Sequence, residues 1–149
     1  MGDAAWEITE AVETSASPAF AWKYWSDVSN WDDPPAAFEL QGPFQTGSRG
    51  ITRIPGQPPI EWFLREVHPP NTATIAIPLV QAVLSFEWRF DGLPDGRTRL
   101  SQRMSLEGEN AEAYRSQVKA TFGVNLPHGM AKIARAMAET YAYHADKHR

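Results

Sequence analysis

Apolar and polar residues alternate with a period near two from Trp6 to Glu13, which predicts an opening β-strand over 6–13. Ser17-Pro18 then pairs an N-cap serine with proline at the first helical position. The helix that follows places Ala21, Trp22 and Trp25 on its inner face, a second short turn ends at Trp31, and Asp32-Asp33-Pro34-Pro35 stops it. Short strands punctuated by proline and glycine are predicted at about 37–41, 48–54, 59–67 and 72–77. The clearest pattern is a hairpin at 82–91 and 97–107. Leu84, Phe86, Trp88 and Phe90 alternate with Ser85, Glu87, Arg89 and Asp91, and Leu100, Gln102, Met104 and Leu106 alternate with Arg99, Ser101, Arg103 and Ser105. Gly92-Leu93-Pro94-Asp95-Gly96 supplies the turn between them.

Toward the C-terminus the period changes. Phe122, Leu126, Met130, Ile133, Met137 and Tyr141 recur every three or four residues, predicting a long amphipathic helix over 111–145 with Asn110 as its N-cap. Gly123, Pro127 and Gly129 are expected to kink or interrupt it, because Pro127 has no N–H to donate to the carbonyl four residues back. The order is strand, short helices, six strands, long helix. That order predicts an α+β domain in which a curved, seven-stranded antiparallel sheet wraps around the one helix long enough to cover its apolar face.

The 149 residues, 42% of them hydrophobic, fit a single domain spanning 1–149 with a substantial core. A net charge of −4 argues against nucleic acid and anionic membrane as partners. The absence of Cys removes disulfides, thiolate metal sites and a cysteine nucleophile. Residues 67–86 contain no Asp, Glu, Lys or Arg, yet Pro69, Pro70 and Pro78 exclude a continuous apolar helix, so two uncharged strands are expected there. The acidic start has no apolar signal segment, and the chain is expected to be soluble and cytoplasmic. Its oligomeric state is left open.

Several stretches in this order resemble the START/Bet v 1-like (SRPBCC) superfamily, and within it the polyketide cyclase/dehydrase-like branch. Residues 12–22 are similar to that family's first strand, small-residue turn and first helix. Trp25-Ser26-Asp27-Val28-Ser29-Asn30-Trp31 is similar to its short helical pair, 42–50 to its glycine-bounded hairpin, and 64–70 to the next strand with a diproline exit. The resemblance runs from about residue 5 to 145. It implies a helix-grip fold with a hydrophobic ligand cavity between sheet and long helix. It implies function only loosely, since the fold hosts cyclases, lipid carriers, hormone sensors and co-chaperones.

No nucleotide-binding, zinc-protease or serine-hydrolase motif is present, and no cofactor or metal is expected. Ser116-Gln117-Val118-Lys119 fits S-x-x-K without its companion motifs, within a helical pattern, and is read as chance. His144 and His148, four apart with Asp146 between, are read as a helix end rather than a metal site. Trp25, Trp31, Trp62, Leu64, Phe86, Trp88, Phe90, Met104, Met130 and Met137 are candidates to line the cavity, and the helix-grip resemblance favours that over plain core filling. Gln102 joins them as a polar residue on an apolar face. Glu10 shares a face with Ile8 and Val12, and strict alternation from Trp62 and Leu64 would carry Glu66 to the cavity side as a candidate catalytic carboxyl. Aromatase-type cyclases in the family carry an arginine beside tryptophan on the cavity face; here Glu66 holds that position and Arg65 is expected to point outward.

Two functions follow as expectations. One is binding of a small hydrophobic or aromatic ligand in an internal cavity, with cyclase- or dehydratase-like action as its enzymatic form. The alternative is a protein-interaction module resembling the heat-shock-protein-activator-type members of the superfamily. An enclosed, partly polar cavity favours the first, and a filled core with a large exposed apolar patch favours the second. The charge balance alone carries one prediction: fluorescence anisotropy at physiological salt should show no binding to duplex DNA, and micromolar, salt-sensitive binding would contradict it.

Overall fold

Ser17 and Asp27 start the two short helices as their chemistry dictates. In the computed structural model, which describes residues 5–147, Ser17 Oγ accepts the Phe20 N–H at 3.3 Å to open helix α1 (Pro18–Trp25). Asp27 Oδ1 accepts the Ser29 N–H at 3.1 Å at the head of a 3₁₀ turn over Val28–Asn30. Ala21, Trp22 and Trp25 are the buried face of α1.

These helices interrupt a sheet of seven antiparallel strands: β1 (Trp6–Thr14), β2 (Ala37–Gln41), β3 (Arg49–Arg53), β4 (Ile60–His68), β5 (Thr72–Leu79), β6 (Ala82–Gly92) and β7 (Thr98–Glu107). Their order across the sheet is β1-β7-β6-β5-β4-β3-β2. Every connection is a hairpin except the one between β1 and β2, which carries the short helices, so the first strand closes onto the last. The register puts apolar residues in rows across the inner face. Leu64, Ile75, Phe86, Met104 and Ile8 form one row, and Val67, Ala73, Trp88, Gln102 and Glu10 form the next. Period-two alternation therefore holds in β6 and β7 as the sequence predicts. β4 departs from it. Leu64 lies opposite Ile75 but Glu66 lies opposite Thr74, so β4 spends an extra residue on one step of its partner. Inward positions run Trp62, Leu64 and then Val67, while Arg65 and Glu66 both face solvent.

The C-terminal helix is broken as expected, but into separate pieces rather than one kinked rod. Helix α2 (Ala111–Val118) passes into a π-helical stretch over Lys119–Gly123, and helix α3 (Leu126–Lys147) then crosses the sheet. Pro127 falls in the first turn of α3, where its missing N–H breaks no helical bond. Gly123 is buried, and a β-carbon there would stand 3.1 Å from the Trp6 indole, so a larger residue would have to push that ring aside by a few tenths of an ångström. Asn110 does not cap α2 through its side chain. Its Nδ2 donates instead to Val80 O at 3.3 Å, and Tyr114 Oη accepts the Val80 N–H at 3.2 Å, tying α2 to the β5–β6 turn.

Farther along, α3 is pinned to β1 by one of two paired, buried threonines. Thr14 Oγ1 donates to Ala134 O at 2.8 Å, and the paired Thr98 Oγ1 donates to Ala16 O at 2.8 Å. Replacing Thr14 by valine keeps the shape and removes the bond to α3. Urea denaturation of Thr14→Val should show a loss of about 1–2 kcal/mol, and an unchanged midpoint would show that the bond does not hold the helix.

Candidate functional site

α3 covers the β1 side of the concave face and leaves space toward β4, β5 and β6. This space is a cavity of about 1130 Å³. Its walls come from the short helices, the inner faces of β2–β7 and the segment from Tyr114 to Ala136.

One end is a chain of tryptophans. Trp62, Trp31, Trp25 and Trp88 follow one another at ring separations of 5.5, 6.0 and 5.0 Å. Two of these indoles are held by their N–H groups. Trp31 Nε1 donates to Trp25 O at 2.7 Å, and Trp62 Nε1 donates to Thr52 Oγ1 at 3.1 Å. The Trp62 ring lies across Gly50, its neighbour on β3, where a β-carbon would come within 2.2 Å of the ring. Behind this wall Trp22, Phe44 and Phe90 pack on Trp25 as ordinary core. The other end is aliphatic and phenyl, with Ile77, Leu84, Val118 and the Phe86–Phe122 pair at 5.4 Å.

Polar groups divide by depth. Asp32, Gln117, Asn125, His128 and Lys132 are exposed and ring the mouth. Across that mouth Lys132 Nζ donates to Asp32 O at 2.8 Å and stands 3.4 Å from its carboxylate, strapping α3 to the loop after the 3₁₀ turn. Deep inside, Gln102 is 6% exposed, lies beside Trp88 on β6, and donates from Nε2 to Met130 Sδ at 3.4 Å. No fully buried side-chain nitrogen or oxygen among the described residues lacks a partner, and Gln102 Oε1 accepts no hydrogen bond from any of them. Its carbonyl is therefore open to the cavity rather than sealed in the core.

Of the residues singled out from the sequence, Trp25, Trp31, Trp62, Phe86, Trp88, Gln102, Met104 and Met130 line this space. Leu64, Phe90 and Met137 are buried in the core behind it and do not reach it. Glu10 is half-buried opposite Gln102 on the outermost strand and is not part of the lining. Glu66 requires correction. The β4 bulge turns it outward, its side chain is 68% exposed, and its Oε2 lies 4.0 Å from His68 Nε2. Strict alternation misses an extra residue that no pattern in the strand marks. The sequence reading also omitted Tyr24, Ile77, Tyr114 and Phe122 from the site. Phe122 was visible in the helical stripe, but its placement opposite Phe86 depends on the π-helical stretch.

No group of three or more His, Asp or Glu side chains suited to a metal occurs among the described residues, and His148 lies outside them. His144 rests against Phe20, with ring centroids 5.9 Å apart. The Arg97 guanidinium, hydrogen-bonded to Asp95, holds that carboxyl below the usual carboxylate range, but the pair sits on the β6–β7 turn, outside the cavity lining. No helix among the described residues is long and apolar enough to cross a membrane.

The family described as polyketide cyclase / dehydrase and lipid transport matches residues 5–140. Norcoclaurine synthase from Thalictrum flavum superposes with a TM-score of 0.70 at 13% identity, covering 94% of this chain and 96% of that one. The Zhui aromatase/cyclase from a Streptomyces species gives 0.69 at 16% identity over 89% and 93% of the two chains. A protein from Arthrobacter aurescens gives 0.65 at 18% identity over 89% and 86%. At these identities the likeness is one of fold. None of the curated proteins matches the sequence.

With Glu66 on the outer face, Glu66→Gln should change stability by less than about 0.5 kcal/mol and leave the binding of apolar probes untouched. Urea denaturation and a probe titration check both, and a clear loss in either would return Glu66 to the site.

Proposed function

The chain belongs to the polyketide cyclase / dehydrase and lipid transport family, and from that premise we propose that it encloses a small hydrophobic, largely aromatic molecule between sheet and α3. The observation that carries this reading is the cavity of about 1130 Å³, walled by tryptophans and containing one deeply buried amide. Specific sites for small organic ligands have this composition, an apolar surface that provides affinity and few polar groups that provide orientation. Flat indole faces favour flat ligands, and the thioethers of Met104 and Met130 adapt to their outline.

Cyclase- or dehydratase-like action is the enzymatic form of the same reading. The printed name of the Streptomyces relative, an aromatase/cyclase, is one ground for considering it. A concave wall of this shape could hold a reactive chain folded for ring closure. Proton transfer would then fall to groups near the mouth such as His128, because the deep polar group is an amide and Glu66 faces solvent. Binding is accordingly the function better supported. The interaction-module alternative draws no support from the surface. The large exposed hydrophobics among the described residues are Val80, Val124 and Tyr143, which sit on the β5–β6 turn, the α2–α3 break and the end of α3.

Fatty acids or flavonoids added to the protein should quench tryptophan emission saturably, since Trp25, Trp31, Trp62 and Trp88 line the space. Ile77→Trp, which fills the cavity from β5, should abolish the saturable component while circular dichroism shows the fold retained. A wild-type titration without saturation would defeat the proposal.

A further inference from the structure

The deep amide has an unusual arrangement for a polar group on a core face. Gln102 sits mid-strand in the row Val67, Ala73, Trp88, Gln102 and half-buried Glu10, with apolar neighbours before and after it on β7 at Leu100 and Met104. Burying such a group costs free energy unless its donors and acceptors are matched. Only one of its two N–H bonds is matched: Nε2 donates to Met130 Sδ at 3.4 Å, while Oε1 faces the cavity without a donor among the described residues. A strong acceptor is thus held on a rigid strand, beside the Trp88 ring, in a lining otherwise apolar at that depth.

Resting on the cavity reading above, we infer that Gln102 selects ligands bearing a hydroxyl group at their buried end, a phenol or an alcohol on a planar apolar body. A hydroxyl donates to Oε1 and also accepts from the remaining Nε2–H, whereas an ether or a ketone can only accept and leaves Oε1 unmatched. Discrimination of this kind is larger than what apolar contacts alone provide, because the unmatched ligand leaves a buried acceptor without its partner. The sulfur of Met130 is a weak acceptor, so its role is to orient the amide rather than to compete for the ligand.

A naphthol and the corresponding methoxynaphthalene test this directly. They share a ring system and an oxygen, and only the naphthol can donate. Titration against the intact protein, followed by tryptophan quenching and calorimetry, should show the naphthol binding about tenfold more tightly. This would occur although the methyl ether is the more hydrophobic molecule. In Gln102→Met, which preserves side-chain length, the preference should vanish while methoxynaphthalene binding persists; that persistence also shows that the variant is folded. Equal affinity of wild-type protein for the two probes overturns the hydroxyl assignment and leaves the cavity reading standing. A preference that survives in Gln102→Met overturns it as well, by placing selection elsewhere. Failure of both probes to bind wild-type protein removes the cavity reading itself, and the assignment with it.

Discussion

A curved seven-stranded sheet has more concave surface than one helix can cover, and most of this molecule follows from that mismatch. α3 is drawn to the β1 side by Thr14, whose hydroxyl reaches Ala134 O, and the chain before it by the close approach of Trp6 to Gly123. Whatever apolar face remains on β4, β5 and β6 must be met by something else. The aromatic residues of α1 and the 3₁₀ turn meet part of it, and the cavity is the remainder.

The energetics constrain what that remainder can be. A space of this volume that opens at a mouth lined by exposed polar groups is accessible to solvent. In solution it therefore holds water or a ligand. Water is poorly served there, since a buried water needs several polar partners and the deep wall offers chiefly Gln102. An apolar ligand replaces that water and gains contact with indole faces already held by hydrogen bonds to Trp25 O and Thr52 Oγ1. Little side-chain entropy remains to be lost on binding, which is the advantage of a wall ordered beforehand.

The same geometry separates recognition from charge. Titratable groups at the site stand at its mouth, where Lys132 and Asp32 join α3 to the loop beyond the 3₁₀ turn. An exposed pair of this kind adds little to stability. Its effect is positional: it holds the loop against the helix beside the opening. The interior is left to shape, aromatic contact and a single amide.

Local pattern by itself determined the hairpin of β6 and β7, the capped start of α1 and the inner stripe of the C-terminal helix, because each depends on neighbours within a few positions. It also placed Trp88, Gln102 and Met104 on one face, since register in a long hairpin is set by its turn and its alternation. Tertiary structure decided the rest. Whether Phe90 and Met137 line the space or sit behind it depends on where α3 crosses, which no period in the sequence records. The break at 119–125 carried Phe122 across to Phe86, a contact between segments far apart in the chain. Glu66 shows the limit most sharply. Its inward position followed from a period of two, and one extra residue accommodated between β4 and β5 reversed it, because a bulge is a property of two strands and not of either sequence alone.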